Sequence, residues 1–168
     1  YNRVLVIAAD TLSKITDYQD RNTCVLFGDG AGAAILGPSE KNKMLGFHLG
    51  ADGGEATILF QPGGGSAMPA SEKSVKNREH FIKMAGQEVF RIAVNRMIEG
   101  LEQACQKAQM VPSDLDFIIP HQANIRIMQA VRKFAKLKEE QLIQTIQEHA
   151  NTSASTIPIA LDMSIRSG

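Results

Sequence analysis

The sequence has no surplus of either charge: its 18 lysines and arginines are matched by 18 aspartates and glutamates. That balance removes any whole-molecule argument for nucleic acid or a charged membrane surface, leaving only local clusters to interpret. Cysteine is scarce. Cys24 and Cys105 stand far apart in apolar or helical contexts, so no disulfide framework is expected and the pair reads as reduced thiols of a cytoplasmic protein. Uninterrupted apolar runs are only a few residues long, against roughly 20 needed to cross a bilayer, so no membrane association is expected. Internal repeats and low-complexity tracts are also lacking. Gly28, Gly30 and Gly32 miss the spacing of a dinucleotide-binding loop, and the surroundings of His149 show no metal-ligand pattern. Tyr1 leads directly into an apolar run and Ser167-Gly168 follows a helical pattern, so both ends read as cut. The 168 residues are one domain's length, enough to bury roughly 70% of the unfolded surface.

What is there reads as α/β. Val4 to Ala9 is a continuous apolar run, the pattern of a strand covered on both faces. A second strand is expected over Thr23-Cys24-Val25-Leu26-Phe27. It meets Gly28 to Gly32 and resumes at Ala33 to Leu36, the glycines marking a bend or a close backbone approach. Pro38 to Lys43 is polar and turn-rich, a boundary between two structural halves. Gly46–Leu49 and Thr57–Phe60 are short strand candidates among glycine-rich loops. From Met84 to Ala108 the residues Phe90, Val94, Met97, Leu101, Ala104 and Ala108 recur at steps of three and four, which predicts a long core helix. Asp116 to Ile119 reads as a strand delivering Pro120 and His121 to its C-terminal end, where ligands bind in open α/β sheets. A further amphipathic helix is expected from about Ile125 to Leu137. It buries Ile127, Met128, Val131, Phe134 and Ala135, and shows Arg126, Lys133 and Lys136 on a basic outer face. A last helix is expected over about Ser155 to Arg166, with Pro158 bending or delaying its first turns.

Two polar motifs carry the chemistry: Pro120-His121-Gln122-Ala123-Asn124 and Ala150-Asn151-Thr152-Ser153-Ala154-Ser155. Each stands where an apolar segment gives way to a helix, so a histidine and an asparagine can converge on one oxygen as neutral hydrogen-bond donors. Donors so placed stabilise a carbonyl oxygen that gains negative charge. Modest burial keeps a histidine, with an ordinary pKa near 6.5, uncharged for that task. On local context alone His121 also suits a structural hydrogen bond, and Asn151 is a helix-capping residue type.

These motifs resemble the β-ketoacyl-acyl carrier protein synthases III, the initiating condensing enzymes of the thiolase fold. The resemblance rests on Phe27-Gly28-Asp29-Gly30-Ala31-Gly32-Ala33-Ala34, Met84-Ala85-Gly86-Gln87-Glu88-Val89-Phe90, Pro120 to Ile127, and Asn151 to Ser155. It implies a layered α-β-α-β-α architecture with mixed sheets, residues 1–43 ending its N-terminal half and 44–168 forming most of the C-terminal half without its last strands. It also implies a Cys-His-Asn site in which a cysteine takes an acyl group from acyl-CoA and passes it to the carbanion left by decarboxylation of malonyl-carrier protein. Both are substrates, and no cofactor or metal is expected.

His121 and Asn151 match the second and third members of that triad. Neither Cys24 nor Cys105 stands at the start of a buried helix, where the family keeps its nucleophile, so this chain alone is expected to be inactive. Arg21 matches a contact to the adenine end of CoA, Gly86 and Phe90 match the pantetheine channel, and Asn124 matches a donor to the pantetheine amides. Arg126 matches the carrier-docking position at the tunnel mouth, with Lys133 and Lys136 sharing its charge. Ala150 stands where many relatives carry glycine. A homodimer with residues 27–34 near its two-fold is implied. The alternatives are a condensing enzyme of secondary metabolism and a non-catalytic subunit lacking the nucleophile.

Overall fold

The computed structural model describes residues 2–41 and 43–167; Tyr1, Asn42 and Gly168, which fall in segments read above, lie outside the described residues. Strand β1 (Val4–Thr11) pairs antiparallel with β2 (Asp29–Leu36), in a register running from Val4 opposite Leu36 to Thr11 opposite Asp29. Helix α1 (Glu72–Lys76) lies between the next two strands. Strands β3 (Leu59–Phe60) and β4 (Lys83–Met84) form a second, very short antiparallel pair. Helices α2 (Gly86–Lys107), α3 (Ile125–Phe134), α4 (Ile146–His149) and α5 (Thr156–Ser167) complete the order. The core lies between α2 and α3. There Met128 and Val131 pack with Ile118, Leu137 and Leu142, and Met97 and Leu101 of α2 close over them.

The glycines of β2 do not bend the strand; they admit another element against it. Gly30 and Gly32 share a face, and a Cβ at Gly30 would lie 2.7 Å from Ser155 Oγ while one at Gly32 would lie 2.8 Å from Pro158 Cγ. The 3-10 turn Ser153–Ser155 and the first turn of α5 therefore rest directly on the strand backbone. Pro158 falls in that first turn, where its missing N–H costs no hydrogen bond. The helix starts close to where it is expected.

Several strand expectations are corrected. Thr23 to Leu26 turn instead of extending, leaving only Phe27 in a bridge, because the Asp20 carboxylate accepts from Asn22 N at 3.0 Å and from Thr23 Oγ1 at 2.9 Å. Local side-chain bonds of this kind outcompete a ladder. Gly46–Leu49 forms no strand, since its backbone lies against α2, where a Cβ at Gly46 would collide with Ala104 O. Asp116–Ile119 is extended but joins the fold through a single parallel bridge, Ile118 to Leu142. β1 is not covered on both faces: its Leu5 and Ile7 are 58 and 66% exposed, and Ile35 of β2, opposite Leu5, is 71% exposed. Phe134 is also more exposed than its helical position predicts.

One ion pair ties the N-terminal segment to the segment before β4. Arg78 Nε donates to Asp17 Oδ2 at 2.9 Å, its Nη2 donates to the other carboxylate oxygen, and its guanidinium stacks 4.6 Å from the centroid of Phe81. Those bonds lower the Asp17 pKa from 3.8 to about 2. A group whose folded pKa lies below its unfolded one contributes stability that is complete above the unfolded value and is lost as pH falls toward the folded one. Acid titration of unfolding should therefore show a stability loss between pH 3.8 and about 2 that Asp17→Asn removes; an unchanged acid limb would contradict this assignment.

Candidate active site

His121 reaches its position through a backbone pinned on both sides. Ile118 N donates to Gln141 O at 2.8 Å and Ile143 N donates to Ile118 O at 3.0 Å, so the chain leaves this bridge in a fixed direction through Pro120. Gln122, 1% exposed, then locks the turn: its Nε2 donates to Pro120 O at 2.8 Å and Ile143 O at 3.3 Å, and its Oε1 accepts from Thr145 N at 2.9 Å. Asn124 caps α3 by accepting from Arg126 N at 2.8 Å through Oδ1, which leaves its amide nitrogen uncommitted to the helix. Burial lowers the pKa of His121 below its ordinary 6.5, because the charged imidazolium loses solvation there. The ring is neutral at neutral pH.

Asn151 is held more tightly still. Its backbone N–H donates to Leu26 O at 3.0 Å and its carbonyl accepts from Gly28 N at 2.9 Å, a parallel bridge across Phe27. Its side-chain Oδ1 accepts from Ser153 N at 3.0 Å, so the amide N–H groups remain to serve as donors. This geometry carries backbone strain on both sides. Ala150 sits at φ 58, ψ −162 and Ser153 at φ 56, conformations that cost side-chain-bearing residues on the order of 1–3 kcal/mol. Glycine relieves the first strain at the cost of more unfolded-state entropy. Ala150→Gly is thus expected to raise stability by about 1 kcal/mol in a denaturant titration, and a loss of stability would show that Ala150 is unstrained.

His121 and Asn151 meet at two adjoining cavities, both of which they line together with Phe27 and Leu59. One, of about 290 Å³, adds Leu12, Ile15, Ile82 and Ser153. The other, of about 270 Å³, is walled by Gly86, Phe90, Asn124 and Ile127. Gly86, Phe90 and Asn124 continue into an outer hollow of about 390 Å³ that includes Gln87 and Arg126. A path lined by the residues of three sequence motifs thus leads from the surface at Arg126 to the histidine and asparagine.

Other expected site residues fall elsewhere. Arg21 is exposed on the turn after Asp20 and lines none of these hollows. Arg126 and Lys133 are exposed on α3, seven residues apart and so on one face. Lys136 is corrected: it lies beyond the end of α3 in a left-handed turn at φ 58, with Leu137 N bonding back to Arg132 O, so it is not on that helical face. Neither cysteine lines the cavities; Cys105 is buried in α2, and burial raises its thiol pKa. His149 is exposed, its Nε2 3.1 Å from Met163 Sδ. Gln122 and Thr156 were not picked out by sequence reading. Thr156 Oγ1 lies 2.6 Å from His121 Nδ1. Gln122 sits inside a recognised motif, which is a signal of sorts, whereas Thr156 has none.

The α/β fold with this cleft is of the thiolase-like class. It superposes on the crystal structure of 3-oxoacyl-[acyl-carrier-protein] synthase III from Aquifex aeolicus with a TM-score of 0.86 and 38% identity, over 99% of this chain and 50% of that one. The family model for 3-oxoacyl-[acyl-carrier-protein] synthase III matches residues 1–53, and the model of that family's C-terminal part matches residues 105–168. Among curated proteins, the β-ketoacyl-[acyl-carrier-protein] synthase III of Caldanaerobacter subterraneus is 48% identical over all of this chain and 51% of its own length. That of Campylobacter concisus is 46% identical over 98% and 49%. This chain belongs to the 3-oxoacyl-[acyl-carrier-protein] synthase III family, and it spans about half the length of the curated relatives it matches.

Proposed function

We propose that this chain supplies the oxyanion-binding half of a β-ketoacyl-acyl carrier protein synthase III, which condenses an acyl-CoA primer with malonyl-carrier protein to start fatty-acid synthesis. The observation that carries this reading is the shared cavity of His121 and Asn151, each held from behind by another polar group. As carbon dioxide leaves the malonyl group, the electrons of the broken C–C bond flow toward the thioester carbonyl. The two donors take up the resulting charge on oxygen, and the carbanion attacks an acyl group held on a cysteine. That cysteine belongs to the remainder of a longer protein, as neither the buried Cys105 nor Cys24 lines the cavities. The pantetheine arm runs past Phe90 and Asn124.

In this reading residues 1–43 close the N-terminal half and 44–168 form most of the C-terminal one, without its last strands. The uncovered apolar face of β1 and β2 meets the rest of the protein and a second copy in a cytoplasmic homodimer. The balanced charge and the lack, among the described residues, of any helix long and apolar enough to cross a membrane leave carrier protein and CoA as the partners to seek. Arg21 reaches the adenine of CoA only if that part of the protein closes over it.

The test is mass spectrometry and product analysis of the full-length protein with acyl-CoA and malonyl-carrier protein. The reading requires an acyl adduct on a cysteine outside this chain and a β-ketoacyl product. An adduct on Cys24 or Cys105, or no product, would overturn it. Docking of the acidic carrier is assigned to Arg126, with Lys133 behind it on the same face. Arg126→Glu should weaken carrier binding by about tenfold, since like charges across an interface are costly, while the KM for acyl-CoA stays put; unchanged carrier affinity in a titration would remove that assignment.

A further inference from the structure

The Thr156 hydroxyl has one hydrogen and two neighbours that compete for it. Its oxygen lies 2.9 Å from the Ser153 carbonyl, which can only accept, and 2.6 Å from His121 Nδ1. Thr156 is 2% exposed, so bulk water does not intervene. With both contacts made, the hydroxyl donates to Ser153 O and its lone pair accepts from Nδ1–H. A neutral imidazole then carries its single proton on Nδ1 and presents the Nε2 lone pair to the cavity. This differs from the N–H donor that the enolate oxygen needs. Ser153 also donates its N–H to Asn151 Oδ1, so one residue braces both members of the site.

Resting on the synthase reading above, we propose that Thr156 is a positioning residue that sets the tautomer of His121, holding Nε2 as an acceptor at rest and releasing it as a donor when the hydroxyl turns toward Nδ1. In the resting form, Nε2 takes the proton as the nucleophile's S–H bond breaks and returns it to the sulfur of the departing CoA. For condensation, the Nδ1–Thr156 contact opens, the ring gives its Nδ1 proton to water and takes a water proton at Nε2, and as the contact re-forms the Thr156 hydroxyl hydrogen points to Nδ1 instead of Ser153 O. The imidazole keeps one proton and no electrons change hands.

Nitrogen NMR of the full-length protein labelled with 15N-histidine reads the protonated nitrogen directly, with the His121 resonances identified among the four histidines of this chain by their loss in His121→Gln. The expected result is Nδ1–H in the unliganded protein, a shift toward Nε2–H in Thr156→Val, and return of Nδ1–H in Thr156→Ser. Alongside, Thr156→Val should slow acyl transfer from CoA about a hundredfold, as wrong-tautomer and support-shell variants do, with KM within about twofold, and Thr156→Ser should restore it. Nε2–H in the resting protein, or a tautomer indifferent to Thr156→Val, overturns the proposal; if the valine variant fails to fold, the parent and serine spectra decide. The spectrum needs no turnover. A Thr156-dependent tautomer in a protein without condensing activity would keep this assignment and defeat the synthase reading instead.

Discussion

Asn151→Ala in the full-length protein is expected to lower the rate of malonyl decarboxylation by about 10²–10³, the usual loss when one oxyanion donor is removed, while acyl transfer to the cysteine proceeds at close to its normal rate. The distinction follows from which carbonyl the two donors hold: in this reading Asn151 serves the malonyl thioester oxygen, and a carboxamide, which is neither acid nor base at neutral pH, takes no part in freeing the cysteine thiolate. Alanine also removes the acceptor for Ser153 N, and a critic would ascribe the loss to a shifted loop. Asn151→Asp answers that objection. It keeps an oxygen for Ser153 N yet replaces the donor with a negative charge, so decarboxylation should fall at least as far. Recovery of the rate in the aspartate variant would show that Asn151 matters only for the loop.

Gln122→Leu is expected to cost about 3 kcal/mol of stability, because a side chain of similar size leaves Thr145 N and the carbonyls of Pro120 and Ile143 without the bonds they make to the buried amide, and buried polar groups left unpaired cost roughly 1–3 kcal/mol each. Denaturant unfolding measures this. The same three bonds fix the direction in which the chain leaves Pro120, so the surviving folded protein should also lose activity through His121. A leucine variant of normal stability would mean that water or a rearranged loop replaces the amide, and the rigid bracket described here would be incorrect.

The sequence made the three longest helices and the two chemical motifs legible for a physical reason: both are local. The three- and four-residue spacing from Phe90 to Ala108 specifies a helix whatever it packs on, and α2 spans Gly86–Lys107. His121 and Asn151 stood out because each lies in a short polar motif at the edge of an apolar segment, a pattern that neighbouring residues alone define. The failures concern partners distant in the chain. An apolar run such as Val4 to Ala9 says that something covers it without saying what, and in this chain Leu5 and Ile7 remain open. Thr23 to Phe27 has strand-forming residues, yet one carboxylate, Asp20, turned it. The alternation of Gly28, Gly30 and Gly32 marked a close approach but could not name Ser155 and Pro158 as what approaches. Lys136 left its expected face because the helix ends at Phe134, three residues short of the expected Leu137.

Ala150 shows the opposite case. Its identity stood out beside the asparagine before any geometry was known, and its φ of 58 gives the reason: the turn that presents Asn151 suits a residue without a side chain. Thr156 was silent in the sequence because a threonine at the start of a helix is ordinary. Only its 2.6 Å approach to an imidazole 35 residues away gives it meaning.

The most direct measurement is a crystal structure of the full-length protein with a malonyl thioester analogue whose sulfur is replaced by nitrogen, which binds without losing carbon dioxide. The analogue's carbonyl oxygen is expected within hydrogen-bond distance of both His121 Nε2 and Asn151 Nδ2, with its pantetheine arm running out past Phe90 toward Arg126. A carbonyl oxygen touching neither side chain, in a site otherwise occupied by the ligand, would contradict this expectation.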